Sequence, residues 1–149
     1  MYKNGYFTMR KTGIMLAFIT IFIMGGLPLL SGSEEQTEKI AIASDGETID
    51  SQVGYQGARS PWFLFFDQEG QLLEALENPH RYTRGNAGIK CAELLAEHEV
   101  TVFVAGNVGE KMASALESKN ITFIAFTGSV EDAVKHVLEE KTPRKSSQT

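Results

Sequence analysis

Cysteine is nearly absent: Cys91 is the only one in 149 residues. A single thiol excludes an internal disulfide and any cage of thiolates around a metal, so the fold must hold by packing alone. Basic residues are outnumbered, 14 Lys and Arg against 19 Asp and Glu, for a net charge of −5. That balance argues against a non-specific nucleic-acid binder, which needs a basic stripe, and against attachment to a membrane surface through charge. Internal repeats are missing, as are a Walker A motif, a dinucleotide fingerprint, and any Ser/His/Asp or Cys/His arrangement around a nucleophile. Charge is missing altogether from residues 12–30, and that gap decides the expected compartment.

The uncharged run follows Arg10-Lys11 and ends in Ser31-Gly32-Ser33 before Glu34-Glu35. A basic flank, an apolar stretch and small residues make the layout of a secretory leader, with cleavage expected after Ser33 and Met9 as an alternative start. At roughly 18 residues the run is also near the lower limit for crossing a bilayer, so an uncleaved anchor over 12–30 stays open. Either way the flanking charges put the bulk of the chain outside the cytoplasm, periplasmic, secreted or held at the inner membrane. A buried core helix is the remaining reading, disfavoured because the run has no amphipathic stripe. No Cys follows Leu30, so no lipoprotein anchor is indicated. The expected division is 1–33 leader or anchor, 34–38 linker, 39–140 one α/β domain and 141–149 a disordered polar tail.

Within the domain, Lys39 to Ser44 alternates into a turn at Asp45-Gly46, and Trp62 to Asp67 is a dense aromatic strand that turns at 68–70 into Gln71 to Glu77 as an antiparallel hairpin. From Ala87 to His98 the period becomes helical, with Cys91, Ala92 and Leu95 inward. Val100 to Ala105 is an apolar, β-branched run suited to a central strand covered on both faces. Glu110 to Lys119 reads as helix with Asn120 as its stop, Ile121 to Phe126 as another buried strand, and Ser129 with Asp132 as the capped start of a last helix. The order β, ββ, α, β, α, β, α predicts a three-layer α/β domain on a mixed sheet of about five strands, preceded by the N-terminal apolar helix.

Five blocks recur in one order and spacing: Asp50-Ser51-Gln52-Val53; Arg59, Pro61, Phe63 and Asp67; Glu77-Asn78-Pro79; Ala87-Gly88-Ile89; and Ala105-Gly106-Asn107-Val108-Gly109. Together they resemble the dinitrogenase iron-molybdenum cofactor biosynthesis family, the nitrogenase accessory factor-like domain, from Lys39 to about Glu139. The resemblance implies a ribonuclease H-like fold in which strand Trp62 to Asp67 runs antiparallel to its neighbours. It also implies a binding role, since characterised members hold or ferry an anionic iron-sulfur cofactor precursor. Where members often carry Arg-Phe-Gly or His-Phe-Gly before the arginine, this chain has Gln56, Gly57 and Ala58.

Candidate chemistry lies in two loops. Gly106, Asn107, Val108 and Gly109 fall between a buried strand and a helix, where backbone N–H groups and the helix dipole can face an anion; a tight glycine-permitted turn is the alternative. His80, Arg81 and Arg84 lie between hairpin and helix, two guanidiniums for anionic oxygens and an imidazole able to ligate a metal; a solvated loop is the alternative. Gln56 and Arg59 approach the same end of the sheet, although Arg59 could instead pair with Asp50 or Asp67. His98 and His136 read as surface residues, Cys91 as inert core, and Trp62, Phe63, Phe65 and Phe66 as packing.

Three functions follow. The first is a non-catalytic carrier of a small anionic, iron-sulfur or molybdenum-containing ligand or metal cluster, with no nucleic-acid partner, membrane contact only through the N-terminal segment, and any protein acceptor unidentified. The second is an extracytoplasmic structural or partner-binding module without ligand. The third is a metal-dependent ribonuclease H-like hydrolase, which needs Asp45, Asp50 and Asp67 to converge.

Overall fold

Alternation in Ile40–Ser44 sends Ala41 and Ala43 to one face and Ile40 and Ile42 to the other, and both faces are buried. This strand, β1, is the middle of the sheet. The computed structural model describes residues 37–141. After a 3₁₀ turn at Gly57–Arg59 come β2 (Trp62–Phe66), β3 (Leu72–Glu77), α1 (Ala87–Glu97), β4 (Val102–Ala105), α2 (Glu110–Ser118), β5 (Thr122–Ala125) and α3 (Val130–Lys141). The sheet runs β3-β2-β1-β4-β5. β2 is antiparallel to both β1 and β3, whereas β1, β4 and β5 are parallel, so the sheet is mixed.

Large and small residues alternate across the sheet. Ala41 is opposite Phe65 on β2 and Phe103 on β4, and Ala43 is opposite Phe63, so the rings lean over the alanines. Phe63 and Phe103 meet edge to face at 5.9 Å. Cys91, Ala92 and Leu95 of α1 and Met112 and Leu116 of α2 close this core. On the other face Ile40, Ile42, Leu64, Phe66, Val102 and Val104 pack under Val130, Ala133, Val134 and Val137 of α3. Helices on both faces make three layers. Burial of each ring is worth about 1.5–3 kcal/mol, so these two cores supply the stability that no disulfide provides.

The elements fall in the expected order, with one change of environment. β5 lies at the sheet edge and is half-exposed rather than buried like β4, because an apolar run does not reveal which strand is last in the order. Asn120 ends α2 with φ 58°, the left-handed stop expected of it. Among the described residues no helix is long and apolar enough to cross a membrane. The expected apolar helix at 12–30, the cleavage point and nearly all of the expected tail lie outside the described residues.

The C-terminal ends of β1, β4 and β5 and the start of β2 share one edge of the sheet, and residues 51–60 form a strap across it. Val53 N–H donates to Gly128 O (2.9 Å), Gly54 N–H to Ala43 O (2.8 Å), and Gly57 N–H to Asn107 O (3.0 Å). In return Gly106 and Asn107 donate to Gly54 O (2.9 Å) and Tyr55 O (2.6 Å). The strap passes so close that a Cβ on Gly106 would lie 2.9 Å from Tyr55 Cα, which only glycine avoids.

Candidate functional site

Arg59 ends the 3₁₀ turn of the strap, and its Nη1 donates to the carbonyls of Arg81 (2.8 Å) and Thr83 (2.9 Å). The guanidinium thus clamps the loop between β3 and α1. The alternative of an ion pair with Asp67 is not what forms, since the Asp67 carboxylate accepts N–H groups of Glu69 (3.0 Å) and Gln71 (2.8 Å) in its own hairpin turn.

Two helices begin beside Arg59. Asn86, the residue before α1, is left-handed (φ 50°, ψ 15°) and its side chain caps nothing. Lys90 N–H makes the first intrahelical bond, to Asn86 O (3.1 Å), so the N–H groups of residues 87–89 have no partner within the helix. A left-handed residue followed by helical ones turns successive N–H groups toward one concavity, a geometry that favours anions. α2 starts in the same state: Gly109 offers no side chain, and Ala113 N–H to Gly109 O (2.9 Å) is its first bond. α3 contrasts with both. Ser129 Oγ accepts Asp132 N–H (3.1 Å), and the carbonyls of Ser51 and Ile49 take the N–H groups of Val130 and Glu131.

The two open N-termini are adjacent because residue 88 is glycine. A Cβ there would be 2.8 Å from Met112 Cβ and 3.2 Å from the Met112 backbone. Between them lies a cleft of about 320 Å³, floored by Ala58 and Arg59 and walled by the first turns of α1 and α2. It opens into a groove of about 690 Å³ between the helices, over Ile89 and Ala115. The partial positive charge of two helix starts, the Arg59 guanidinium and the Lys111 ammonium favour an anion, whereas the Glu110 carboxylate on the same wall opposes one. Glu110→Gln is therefore expected to raise the affinity of this cleft for a small oxyanion about two- to fivefold, measured by titration, with the gain shrinking at high salt as an exposed charge requires.

Of the residues expected at this site, Arg59 and Gly109 line the cleft. The amides of Gly106 and Asn107 are engaged by the strap, and Val108 packs on the core under α1 and α2, so this part of the turn supports the cleft from behind. Gln56 is exposed, bridges to Asn107, and accepts the N–H groups of Arg59 and Ser60 on its carbonyl. His80 binds through its backbone N–H to Asn78 Oδ1 (2.9 Å). Arg81 lies over the exposed Tyr82 ring (5.1 Å), and Arg84 faces solvent. Of the loop its last residue, Asn86, lines the cleft, and of the glycine turn Gly109 does, whereas His80, Arg81, Arg84, Gly106, Asn107 and Val108 do not. Asn78 and Gly88 belong to the recurring blocks but carry no local sign of a role at the site, and Lys111 carries none either.

Among the described residues no group of three His, Cys, Asp or Glu could hold a metal ion, so the expected ligand His80 has no partners in that role. Asp45 follows β1 at the cleft edge, and Asp67 follows β2 at the opposite edge, so the three carboxylates of a hydrolase do not converge. Burial pushes the Cys91 thiol up to about 11, against the lowering effects of Asn78 and Arg59, so at neutral pH it is neither a nucleophile nor a thiolate ligand. The donor set fits a cargo gripped through the oxygen or sulfur atoms of its own outer shell.

Fold and cleft define a class: a three-layer α/β domain with a crevice at the carboxyl ends of its parallel strands. Within that class the chain belongs to the dinitrogenase iron-molybdenum cofactor family, whose pattern matches residues 38–140. It is similar to the orange protein of Desulfovibrio gigas in its apo form (27% identity, TM-score 0.66, 71% of this chain and 91% of that one). It is likewise similar to a protein from Thermotoga assigned as NifB (29% identity, TM-score 0.60, 68% of this chain and 88% of that one). A protein of Methanocaldococcus jannaschii assigned as a dinitrogenase shares the fold (15% identity, TM-score 0.52, 70% and 91% covered). No curated protein matches the sequence. The family relates the chain to the handling of metal-cluster cofactors.

Proposed function

We propose that this domain is a non-catalytic carrier for a small anionic metal species, an iron-sulfur or molybdenum-containing cofactor precursor, bound as cargo between the starts of α1 and α2 with Arg59 beneath it. One observation carries the reading: Gly88 lets α1 lie against the backbone of Met112, so two uncapped helix N-termini open into the same cleft as a guanidinium. Donors of this kind suit a cargo that must be released intact, because hydrogen bonds to its outer shell break without ligand exchange at the metal. Titration with molybdate, followed by backbone amide NMR, is expected to move the signals of residues 87–89 and 110–112 first. Shifts confined to other parts of the molecule, or none at millimolar molybdate, would favour the module without ligand and sink the carrier reading.

Strand order and the antiparallel β2 support a ribonuclease H-like arrangement put to binding use. Extracytoplasmic placement belongs to the proposal on the strength of the charges around residues 12–30 alone. N-terminal sequencing of the mature protein from the periplasm is expected to begin at Glu34.

A further inference from the structure

Asn78 stands at the end of β3, 4% exposed, and uses its side-chain amide to hold three segments. Nδ2 donates to the carbonyls of Ala58 (3.1 Å) and Ser60 (2.9 Å). Oδ1 accepts the His80 N–H (2.9 Å) and lies 3.6 Å from Cys91 Sγ on α1. Ala58 and Ser60 are the two neighbours of Arg59, so one amide grips the backbone on both sides of that arginine. The Arg59 guanidinium in turn holds the carbonyls of Arg81 and Thr83, in the loop whose His80 N–H is fixed by the same Asn78. The circuit closes on itself: one buried side chain sets both the base of the arginine and the start of the loop that the arginine clamps.

We infer that Asn78 is the positioning residue of the cleft, fixing Arg59 relative to the start of α1 without touching the cargo. Only a short side chain with two donors and an acceptor meets the geometry. A carboxylate of the same size offers acceptors alone, and an alkyl group leaves two carbonyls and an N–H unmet. The inference rests on the anion-binding reading of the cleft, and its test has one arm that does not depend on that reading.

Asn78→Asp keeps the acceptor for His80 and turns the donor into a second acceptor aimed at two carbonyls. The variant is expected to weaken molybdate binding at least tenfold, and to raise the mobility of the Arg59 Nε–H and hydrogen exchange at the His80 amide tenfold or more. Val137→Ala, in the core on the opposite face of the sheet, lowers stability while leaving both affinity and Arg59 mobility unchanged. If Asn78→Asp fails to fold, Asn78→Ser, which leaves room for a bridging water, carries the same expectation. The inference is overturned if the variant binds within twofold of the parent, or if Val137→Ala, against expectation, weakens binding and loosens Arg59 to the same extent at a matching loss of stability. If the parent itself does not bind molybdate, the carrier reading has failed, and Arg59 mobility in the ligand-free variants still decides the positioning role.

Discussion

Arg59→Gln is expected to weaken molybdate binding about thirtyfold, the counterpart of about 2 kcal/mol for one charge-assisted hydrogen bond to an anion in a partly enclosed site. The same substitution releases the carbonyls of Arg81 and Thr83, which Nη1 now holds at 2.8 and 2.9 Å. Amide exchange across residues 80–85 should rise with it. Because Arg59 is exposed and both carbonyls can be rehydrated, the cost to global stability is small, about 1 kcal/mol. Arg59→Lys separates the two roles. The ammonium retains the charge but lacks the planar fork, so affinity should fall severalfold while the loop loosens as fully as in the glutamine variant. Isothermal titration of the three proteins reads the first effect, and hydrogen exchange by NMR the second. Equal affinity in all three would remove Arg59 from the site.

Gly88→Val should be strongly destabilising. A Cβ at residue 88 already falls 2.8 Å from Met112 Cβ and 3.2 Å from its backbone nitrogen, and valine adds two methyl groups beyond it. The neighbour on that side is main chain, which cannot rotate away, so α1 and α2 must separate. Overpacking of this kind costs about 2–3 kcal/mol. For a domain of this size that corresponds to a fall of roughly 8–20 °C in the melting temperature. Affinity for molybdate should be lost together with stability, since the amides of residues 87–89 and 110–112 no longer share a cleft. Gly109→Ala is the informative contrast. Nothing lies within 4 Å of a Cβ there and φ is −67°, so its stability cost should stay under about 1 kcal/mol. A Gly88→Val protein that melts like the parent would show that the close approach of the two helices is dispensable.

How much of this was legible in the sequence depended on the range over which each feature is encoded. The helical period around Cys91 and Leu95 and the serine start of α3 are local patterns, and the structure places them where the patterns point. The apolar run from Val100 to Ala105 predicts a central strand covered on both faces, and Val102–Ala105 forms that strand, buried throughout. Residues 121–126 look much the same, yet β5 is an edge strand, because position in a sheet is a property of the whole topology. The glycine turn was found, but its first two amides serve the strap, whose partners are some fifty residues away in the chain. Asn78 and Gly88 were visible only as members of recurring blocks. What they do depends on the carbonyls of Ala58 and Ser60 and on Met112, none of which any local period reveals.

The lacing of residues 53–57 to the turn at 105–107 and to Gly128 also imposes a timetable. Closing such distant loops costs entropy that is recovered only when both ends exist, so the strap cannot lock during synthesis until Gly128 has left the ribosome. A chain that ends before Gly128 therefore lacks the carbonyl that Val53 N–H uses, and its strap is held only at the turn of residues 105–107.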